Sequence, residues 1–338
     1  AEMGVNFYDT AKALNITPLA AAMMYIDAAA EAGIDCAKFQ SYKADTIVSK
    51  NSPAYWDLSK EPTKTQHALF MKHDGFNEED YRELCNYTHA KGMDFTSTPF
   101  DYASADYLYD MVDFYKISSS DLSNLPFIEH IAKKGKPVYM SVGAAYLSEC
   151  DEAIRVLKNA GCKDIVIFHC VLSYPTDPKN ANLLIIETLK KTFPDIRVGF
   201  SDHVAPDDTM MTLATSYLLG AEVIEKHFTL DKTLSGNDHY HAGDPEDFKK
   251  AIANFKWIDT ILGSAEKTVL DCEMIPRREA RRSLVLTRDV KSGEIIKKED
   301  IMPKRPGIGI SPIYTDIVIG RSVKMDLAED TILTWDMV

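Results

Sequence analysis

The feature that most constrains this chain is the regular return of short apolar runs, each followed by a stretch with the spacing of an amphipathic helix. Eight such runs occur, at 1–5, 36–40, 94–100, 113–118, 137–143, 164–170, 197–203 and 222–228. Helical patterns lie between and after them, at 18–33, 78–91, 148–160, 207–219 and 246–262. This alternation predicts an α/β fold, a (β/α)8 TIM barrel. A doubly wound open sheet is the competing interpretation, and eight repeats without a GxGxxG turn favour the barrel.

The pattern changes near residue 265, which indicates a second and smaller domain. The stretch 274–283 is basic and turn-prone, as a linker would be. Short strands and turns follow, and 289–301 resembles 326–338, which begins 37 residues later. We therefore predict a barrel domain at 1–265, a linker at 266–282 and a small pseudo-symmetric β-rich domain at 283–338. A domain of this size is near the lower limit for independent folding, so we expect it to lean on another surface, such as a second subunit.

Charge and cysteine content argue against several classes of protein. The net charge of −13 over 338 residues disfavours a nucleic-acid surface, and an anionic substrate would need a local cationic pocket. The Ala-rich stretch 19–32 is interrupted by Asp27 and Glu31, which predicts an amphipathic helix rather than a membrane span. Six scattered cysteines without a CxxC pair predict buried free thiols in a reducing cytoplasm. The chain shows no signal peptide and opens on strand-like residues, so we expect a few further residues upstream.

Two histidines end successive predicted strands, where a barrel enzyme carries its active site. His203 closes GFSDH, and His227 closes the next run one βα unit later. Two imidazoles directed into one barrel mouth favour a transition metal such as Mn²⁺, Fe²⁺, Co²⁺ or Zn²⁺. The alternative is that each histidine only hydrogen-bonds within its own turn.

Two lysines follow apolar strand residues in the same way. Lys38 and Lys116 would be unfavourable in a barrel mouth unless an anion or a carboxylate met them. Hydroxyl residues nearby favour a phosphate or carboxylate site. The alternatives are a Schiff-base lysine, or pairing with Glu2 or Asp121.

The Gly-rich loop SGNDHYHAGDP, at 235–245, follows the eighth predicted strand. Asp238 is well placed to meet a metal or a sugar hydroxyl. His241 is interpreted as part of a flexible connector.

Seven motifs in register show that the chain resembles the sialic acid synthase family over essentially its whole length. They are AEMGVN, KFQ, STPF, YKIS, GFSDH, EKHFTLD and RPGIGI. The resemblance implies a barrel followed by a small antifreeze-like (SAF) domain, swapped across a homodimer. It also implies a cytoplasmic transferase that forms a C–C bond and acts on small molecules, with no nucleic acid or membrane as partner. Phosphoenolpyruvate would add through C3 to the aldehyde of open-chain N-acetylmannosamine, water would add at C2, and phosphate would leave to give N-acetylneuraminate.

The same resemblance assigns roles to individual residues. It implies that His203 and His227 bind a divalent metal, Mn²⁺ first and Mg²⁺ or Co²⁺ as alternatives. The implied catalytic residues are Glu2, Asp121, His203 and His227. Those implied for phosphoenolpyruvate are Lys38, Thr98, Lys116, Ser119 and Ser141. Those implied for the sugar are Gln40, Tyr174, Asp238 and Arg305, the last delivered by the small domain to the partner's active site.

The chain departs from the family's pattern at Phe7, Val142, Leu172 and in the HYHAGDP segment. We expect these changes to surround the sugar more than the phosphoenolpyruvate, so legionaminic or pseudaminic acid synthesis is an alternative. Another metal-dependent keto-sugar acid synthase is a further alternative, although a phosphorylated acceptor should require arginines, which the strand ends lack. A non-catalytic ice-binding role is disfavoured, since Arg305 and Arg321 poorly match a flat, weakly polar ice face.

Overall fold

Parallel strands form the centre of the first of two units. The computed structural model describes residues 1–59, 61–236 and 238–338, and this unit spans Ala1–Leu262. Its strands are β1 (Glu2–Gly4), β2 (Cys36–Ser41), β3 (Asp94–Pro99), β4 (Tyr115–Ile117), β5 (Val138–Ser141), β6 (Ile165–Cys170), β7 (Arg197–Asp202) and β8 (Val223–Lys226). Its helices are α1 (Phe7–Leu14), α2 (Pro18–Ala32), α3 (Ala44–Ile47), α4 (Gln66–Phe70), α5 (Glu78–Ala90), α6 (Tyr102–Tyr107), α7 (Leu125–Ala132), α8 (Leu147–Asn159), α9 (Ile185–Thr192), α10 (Met211–Leu218) and α11 (Pro245–Leu262).

The strands lie in chain order, with β1 to β3 in one hydrogen-bonded set and β4 to β8 in another. Between the sets, Thr96 Oγ1 donates to Phe114 O at 2.6 Å, just before β4. At the other side, Phe228 N, just after β8, donates to Glu2 O of β1 at 2.7 Å. The sheet therefore curls until its last strand meets its first. The prediction of an α/β fold on curled parallel strands is confirmed.

Burial on both faces explains why the strands read as apolar runs. All six residues of β6 are buried, and the helices cover the outer face. Helix α2 shows how the sequence sets an element: Thr17 Oγ1 accepts from Ala20 N at 3.2 Å, Pro18 occupies the first turn, and Gly33 ends the helix at φ 80°. Its apolar stripe, including Tyr25, is buried against the barrel.

The helices and the cysteines can be compared with the expectations for membrane spans and thiols. Within the described ranges no helix by itself combines the length and hydropathy of a membrane span; α1 and α2 reach both as a pair bent by 114°. The six cysteines are free thiols, and four of them are buried.

The second unit, Gly263–Val338, contains α12 (Met274–Ala280), β9 (Ser283–Leu286), β10 (Ile301–Lys304) and α13 (Thr315–Val318). Strands β9 and β10 pair antiparallel. The internal repeat predicted from the sequence is structural, because equivalent positions pair: Val290 N donates to Leu327 O at 2.8 Å, and Leu327 N donates to Val290 O at 2.9 Å. Gly293 and Asp330, also equivalent, both take left-handed backbone conformations with φ 86° and 65°.

The expectation of a turn-prone stretch at 274–283 is wrong for its first seven residues, which form α12. Pro276 suggested a turn, but it is the third helical residue, where the missing N–H has no intrahelical partner to lose. No residue of α12 is buried.

Candidate active site

A cavity of about 370 Å³ opens where the carboxyl ends of the strands converge. It brings together most of the residues that the sequence singled out: Glu2, Lys38, Gln40, Thr98, Lys116, Ser119, Asp121, Ser141, Tyr174, His203, His227 and Asp238. Arg305 lies in the second unit, exposed, directly after β10.

On one wall, Lys38 of β2 is held between carboxylates and a hydroxyl. Its Nζ forms an ion pair with Glu2 Oε2 and lies 3.3 Å from Thr98 Oγ1. Gln40 Nε2 donates to the other Glu2 oxygen at 2.8 Å. Gly4, at φ 50°, lets the chain turn close to this group, since a Cβ there would lie 3.0 Å from Glu2 Oε1. Pairing of Lys38 with Glu2, one of the alternatives, is thus observed.

A second lysine lies beside the first. Lys116 Nζ donates to Ser141 Oγ at 2.6 Å and is almost wholly buried. Glu225 joins the two lysines: its Oε1 is 3.6 Å from Lys38 Nζ, and its Oε2 is 3.6 Å from Lys116 Nζ. Ser201 Oγ donates to Glu225 Oε1 at 3.1 Å and orients it.

Burial and mutual attraction shift the pKa values of these two carboxyl groups and two lysines in different directions. Burial opposes ionisation of Glu225, but Lys116 and Lys38 hold its pKa at about 2. Burial, reinforced by Glu225, raises the pKa of Glu2. Burial opposes a charge on Lys38, but Glu2 and Glu225 raise its pKa, whereas burial lowers the pKa of Lys116. Two carboxylates thus compete for Lys38, and Glu2 is the one suited to carry a proton.

Asp121 and Ser119 lie on the short turn after β4. Ser119 Oγ accepts from Gly143 N at 2.9 Å, which ties this turn to the end of β5. Asn124 Nδ2 donates to Asp121 Oδ1 at 3.3 Å, yet burial raises the pKa of the Asp121 carboxyl. Asp121 is therefore a second carboxyl group at the cavity whose protonated form burial favours.

The histidines line the same cavity, directly after β7 and β8. The ring centroids of His203 and His227 are 5.3 Å apart, and the Tyr174 ring lies 4.1 Å from that of His203. His203 Nδ1 is 2.7 Å from Val171 O, so it carries the hydrogen and leaves Nε2 with the lone pair. Burial lowers the pKa of His203 to about 4 and that of His227 well below its usual range. Both rings are thus neutral at pH 7, as metal ligands are.

These residues fit a divalent metal ion. His227 Nδ1 is buried and has no hydrogen-bond partner among residues 1–59, 61–236 and 238–338. It lies 3.6 Å from Asp238 Oδ2. The alternative that both histidines merely hydrogen-bond in their turns accounts for His203 Nδ1 and leaves His227 unexplained.

Two further residues of the site had been missed or misread. Glu225 was not singled out from the sequence, although alternation along EVIEKH places it on the same side as His227 and places Lys226 opposite. Lys226 Nζ accordingly pairs with Asp202 Oδ2 at 2.7 Å, outside the described cavity lining. The interpretation of His241 as part of a flexible connector is wrong, because both histidines of the turn His239–His241 are fully buried.

The positions that depart from the family pattern behave differently from one another. Leu172 lines the cavity, as expected for a residue near the sugar. Phe7 instead packs in the core, with its ring centroid 5.8 Å from Phe39 and 5.0 Å from Phe76. Val142 is buried in the same core. The expectation that all three surround the sugar is therefore wrong for Phe7 and Val142, which do not line the cavity.

Comparison with known proteins agrees with this geometry. Residues 25–267 match the NeuB family and residues 281–338 match the SAF domain. The N,N'-diacetyllegionaminic acid synthase of Legionella pneumophila is 36% identical, over 100% of this chain and 93% of that protein. An uncharacterized protein of Methanocaldococcus jannaschii is 42% identical, over 91% of this chain and 87% of that protein. The crystal structure of an N-acetylneuraminic acid synthetase from Leptospira borgpetersenii serovar Hardjo-bovis, in complex with citrate, matches with TM-score 0.69 and 30% identity, over 82% of this chain and 88% of that one.

The fold, the cavity and these matches place the chain in the family of nonulosonic acid synthases. The chain belongs to the NeuB family and carries a SAF domain at residues 281–338. The resemblance seen in the seven motifs is confirmed.

Proposed function

We propose that this chain condenses phosphoenolpyruvate with open-chain N-acetylmannosamine and water to give N-acetylneuraminate and phosphate. The observation that carries the proposal is that two buried lysines and two neutral histidines line one cavity. The lysines suit an anionic substrate, and the histidines suit a metal ion that binds an aldehyde oxygen. Few other reactions need both in one site.

The lysine wall suits phosphoenolpyruvate, which carries a phosphate and a carboxylate. Lys38 and Lys116 reach toward the same carboxylate, Glu225, so their ammonium groups lie close enough to share one small dianion or trianion. Thr98 and Ser141 add hydroxyl donors next to each ammonium group. Burial strengthens these attractions relative to those of exposed lysines, because little water screens them.

The reaction forms one C–C bond and breaks one C–O bond. The enol pair of phosphoenolpyruvate joins C3 to the aldehyde carbon, and the aldehyde oxygen takes a proton. Water adds at C2, and the bond between C2 and the bridging oxygen of the phosphate group breaks. The water oxygen loses both of its protons and becomes the new carbonyl oxygen at C2. One of these protons replaces that given to the aldehyde oxygen, and the other leaves with phosphate. Glu2 and Asp121, whose pKa values are raised by burial, are the acids assigned to these transfers.

A divalent ion held by His203 and His227 would polarise the aldehyde when bound. Mn²⁺ is the proposed ion, with Mg²⁺ and Co²⁺ as alternatives.

Gln40, Tyr174 and Asp238 are the polar groups assigned to the sugar. Arg305 is assigned to the sugar of a partner subunit, in a domain-swapped homodimer in the cytoplasm. Its planar guanidinium would offer paired donors to an N-acyl oxygen.

A second candidate acceptor is the sugar that leads to legionaminic acid, with pseudaminic acid as the next alternative. The full-length match to the Legionella pneumophila enzyme favours it. Leu172 places an apolar side chain in the cavity, which suits a less hydroxylated acceptor than N-acetylmannosamine.

The test is phosphate release from phosphoenolpyruvate by the purified chain, with Mn²⁺ and with EDTA, over a panel of N-acetylated and diacetamido sugars. Release that requires both a sugar and the metal is expected, and the sugar with the highest kcat/KM identifies the acceptor. Phosphate release that needs no sugar, or no release with any acceptor despite phosphoenolpyruvate binding by calorimetry, would overturn the proposal.

A further inference from the structure

A cluster of possible metal ligands joins His227 and Asp238, which line the cavity, to the buried His241 beside them. His227, Asp238 and His241 each present a ligand atom, and all three atoms lie within 4.8 Å of one another. Asp238 Oδ2 is 3.6 Å from His227 Nδ1, and Asp238 Oδ1 is 3.8 Å from His241 Nε2. Ligand atoms about 2.1 Å from a tetrahedral ion lie about 3.4 Å from one another, so small side-chain shifts would complete such a site.

His241 is the unusual member of this cluster. It is 0% exposed, and neither of its ring nitrogens has a hydrogen-bond partner within the described part of the chain. Its ring centroid lies 4.9 Å from that of His227. Buried polar groups almost always have a partner, so an imidazole with two unpartnered nitrogens beside another such imidazole indicates a missing ligand.

The neighbouring histidine serves as an internal comparison. His239 lies on the same turn and is equally buried, but its Nδ1 is 2.7 Å from Thr229 Oγ1, so that a protein group fixes one of its two ring nitrogens. Its Nε2 lies 3.5 Å from Asp9 Oδ2 and has no hydrogen-bond partner within the described residues. His241 differs in that neither ring nitrogen is fixed by a protein group there, and it lies beside His227 and Asp238.

We propose that His241 is a metal ligand, and that His227, Asp238 and His241 form a nitrogen-rich site for a late first-row divalent ion such as Co²⁺ or Zn²⁺. The proposal deepens the proposed function and rests on it for the role of the metal. A site limited to His203 and His227 would leave most positions to water and substrate. The His241 imidazole, added to that of His227, shifts preference away from Mg²⁺ and Mn²⁺, because imidazole nitrogen favours the later metals.

The first experiment measures metal binding without phosphoenolpyruvate or sugar. EDTA-treated wild type and His241→Gln are titrated with Co²⁺ and with Mn²⁺ by calorimetry, and thermal melting of both metal-free proteins verifies folding. We expect the Kd for Co²⁺ to rise about 10–100-fold in the variant, a range typical of damage to a metal's ligand environment. The Kd for Mn²⁺ should rise less, so the preference for Co²⁺ should fall. A folded variant with unchanged Co²⁺ affinity would overturn the proposal.

A second variant decides the matter if His241→Gln fails to fold. In His241→Cys, a thiolate that ligates Co²⁺ should add a sulfur-to-cobalt charge-transfer band in the near ultraviolet, absent from Co²⁺-loaded wild type. The wild type controls for Cys170, whose Sγ lies 3.8 Å from His203 Nδ1. A spectrum identical to that of the wild type would place His241 outside the coordination sphere. Neither measurement depends on turnover, so failure of the synthase reaction and failure of this site are separately visible.

Discussion

At the scale of single residues, Glu225 organises the lysine wall. It stands 3.6 Å from both ammonium groups and accepts a hydrogen bond from Ser201. Without it, Lys38 would retain Glu2, whereas Lys116 would lose its carboxylate and keep the Ser141 hydroxyl, the Ile117 carbonyl oxygen and the face of the Phe168 ring. An unpaired buried ammonium group is strongly unfavourable, so Glu225 stabilises the fold before any substrate arrives.

We expect Glu225→Gln to lower the free energy of unfolding by about 1–3 kcal/mol at pH 7. The folded pKa of Glu225, about 2, lies below its unfolded value. Its ionised form therefore stabilises the protein above the unfolded pKa, and this contribution is lost as the pH falls toward 2. Urea midpoints from pH 7 downward should show the deficit of the variant shrinking below about pH 4.3. Glu222→Gln, at an exposed position just before β8, is the matched control and should change little.

Lys116 gives a prediction on substrate affinity. Lys116→Gln should raise the KM for phosphoenolpyruvate about 10–100-fold, because a hydrogen bond to a charged group is worth about 1.5–3 kcal/mol. The KM for the sugar should change far less. Lys226→Gln is the control, since Lys226 is also buried at a strand end but pairs with Asp202. Equal effects of Lys116→Gln on both KM values would assign Lys116 to positioning the whole site rather than to phosphoenolpyruvate.

Residue patterns predicted much of this site, and the failures have physical causes. Strand ends such as Lys38, Lys116 and His203 could be found because parallel strands deliver their carboxyl ends to one rim. His241 was misread because a loop rich in Gly and polar residues looks the same whether it is exposed or folded under the site. Only tertiary burial distinguishes the two. Glu225 was missed although its signal, the two-residue alternation with His227, was present.

At the scale of elements, the contact between β7 and its neighbours determines where the histidines lie. Gly199 of β7 pairs with Val223 of β8, and a Cβ at Gly199 would lie 2.6 Å from Val223 O and 2.8 Å from the Phe168 ring. The close approach keeps β6, β7 and β8 in register. Register in turn places His203 and His227 side by side, since each follows its strand by one residue.

Gly199→Ala should therefore destabilise the protein by about 1–3 kcal/mol, the usual effect of overpacking a tight core. The backbone oxygen of Val223 has no room to yield without loss of the β7–β8 pairing. Gly75→Ala is the control, because its Cβ would meet only the Tyr8 hydroxyl at 3.4 Å. Urea midpoints of the two variants should separate clearly; equal midpoints would mean that the strands can shift apart freely.

The sequence predicted the buried strands well, because burial leaves a regular pattern of apolar residues. It predicted the exposed helix α12 poorly, because exposure leaves no such pattern. The strands β1 to β8 all coincide with apolar runs, since burial on both faces leaves little choice of residue. Helix α12 was missed because none of its residues is buried, so no apolar stripe marked it, and Pro276 and the arginines suggested a turn. Exposed short helices depend on propensity alone, which is a weak signal.

At the scale of the whole molecule, the internal repeat explains the architecture of the second unit. It does not explain what the unit contributes to the protein. Val290 and Leu327 pair around a pseudo-two-fold centre, and the unit has a separate core that includes Leu284, Ile296 and Leu333. This separate core gives no reason why the unit should be joined to the first unit in one chain. Its retention in one chain is accounted for if Arg305 completes an active site, and the domain-swapped homodimer remains a prediction.

Mixing two impaired variants, assayed at substrate concentrations where each alone has little activity, tests that arrangement. Arg305→Ala should impair sugar use, and Lys116→Gln should impair phosphoenolpyruvate use. In a swapped dimer, a mixed pair rebuilds one intact site from Lys116 of one subunit and Arg305 of the other. Random exchange of subunits makes half the dimers mixed, with one intact site of two, so about a quarter of wild-type activity should return. Lys38→Ala mixed with Lys116→Gln is the control and should recover nothing, because both changes lie in the same barrel. Absence of recovery in exchanged Arg305→Ala and Lys116→Gln subunits would mean that Arg305 serves the barrel of its own chain or serves none.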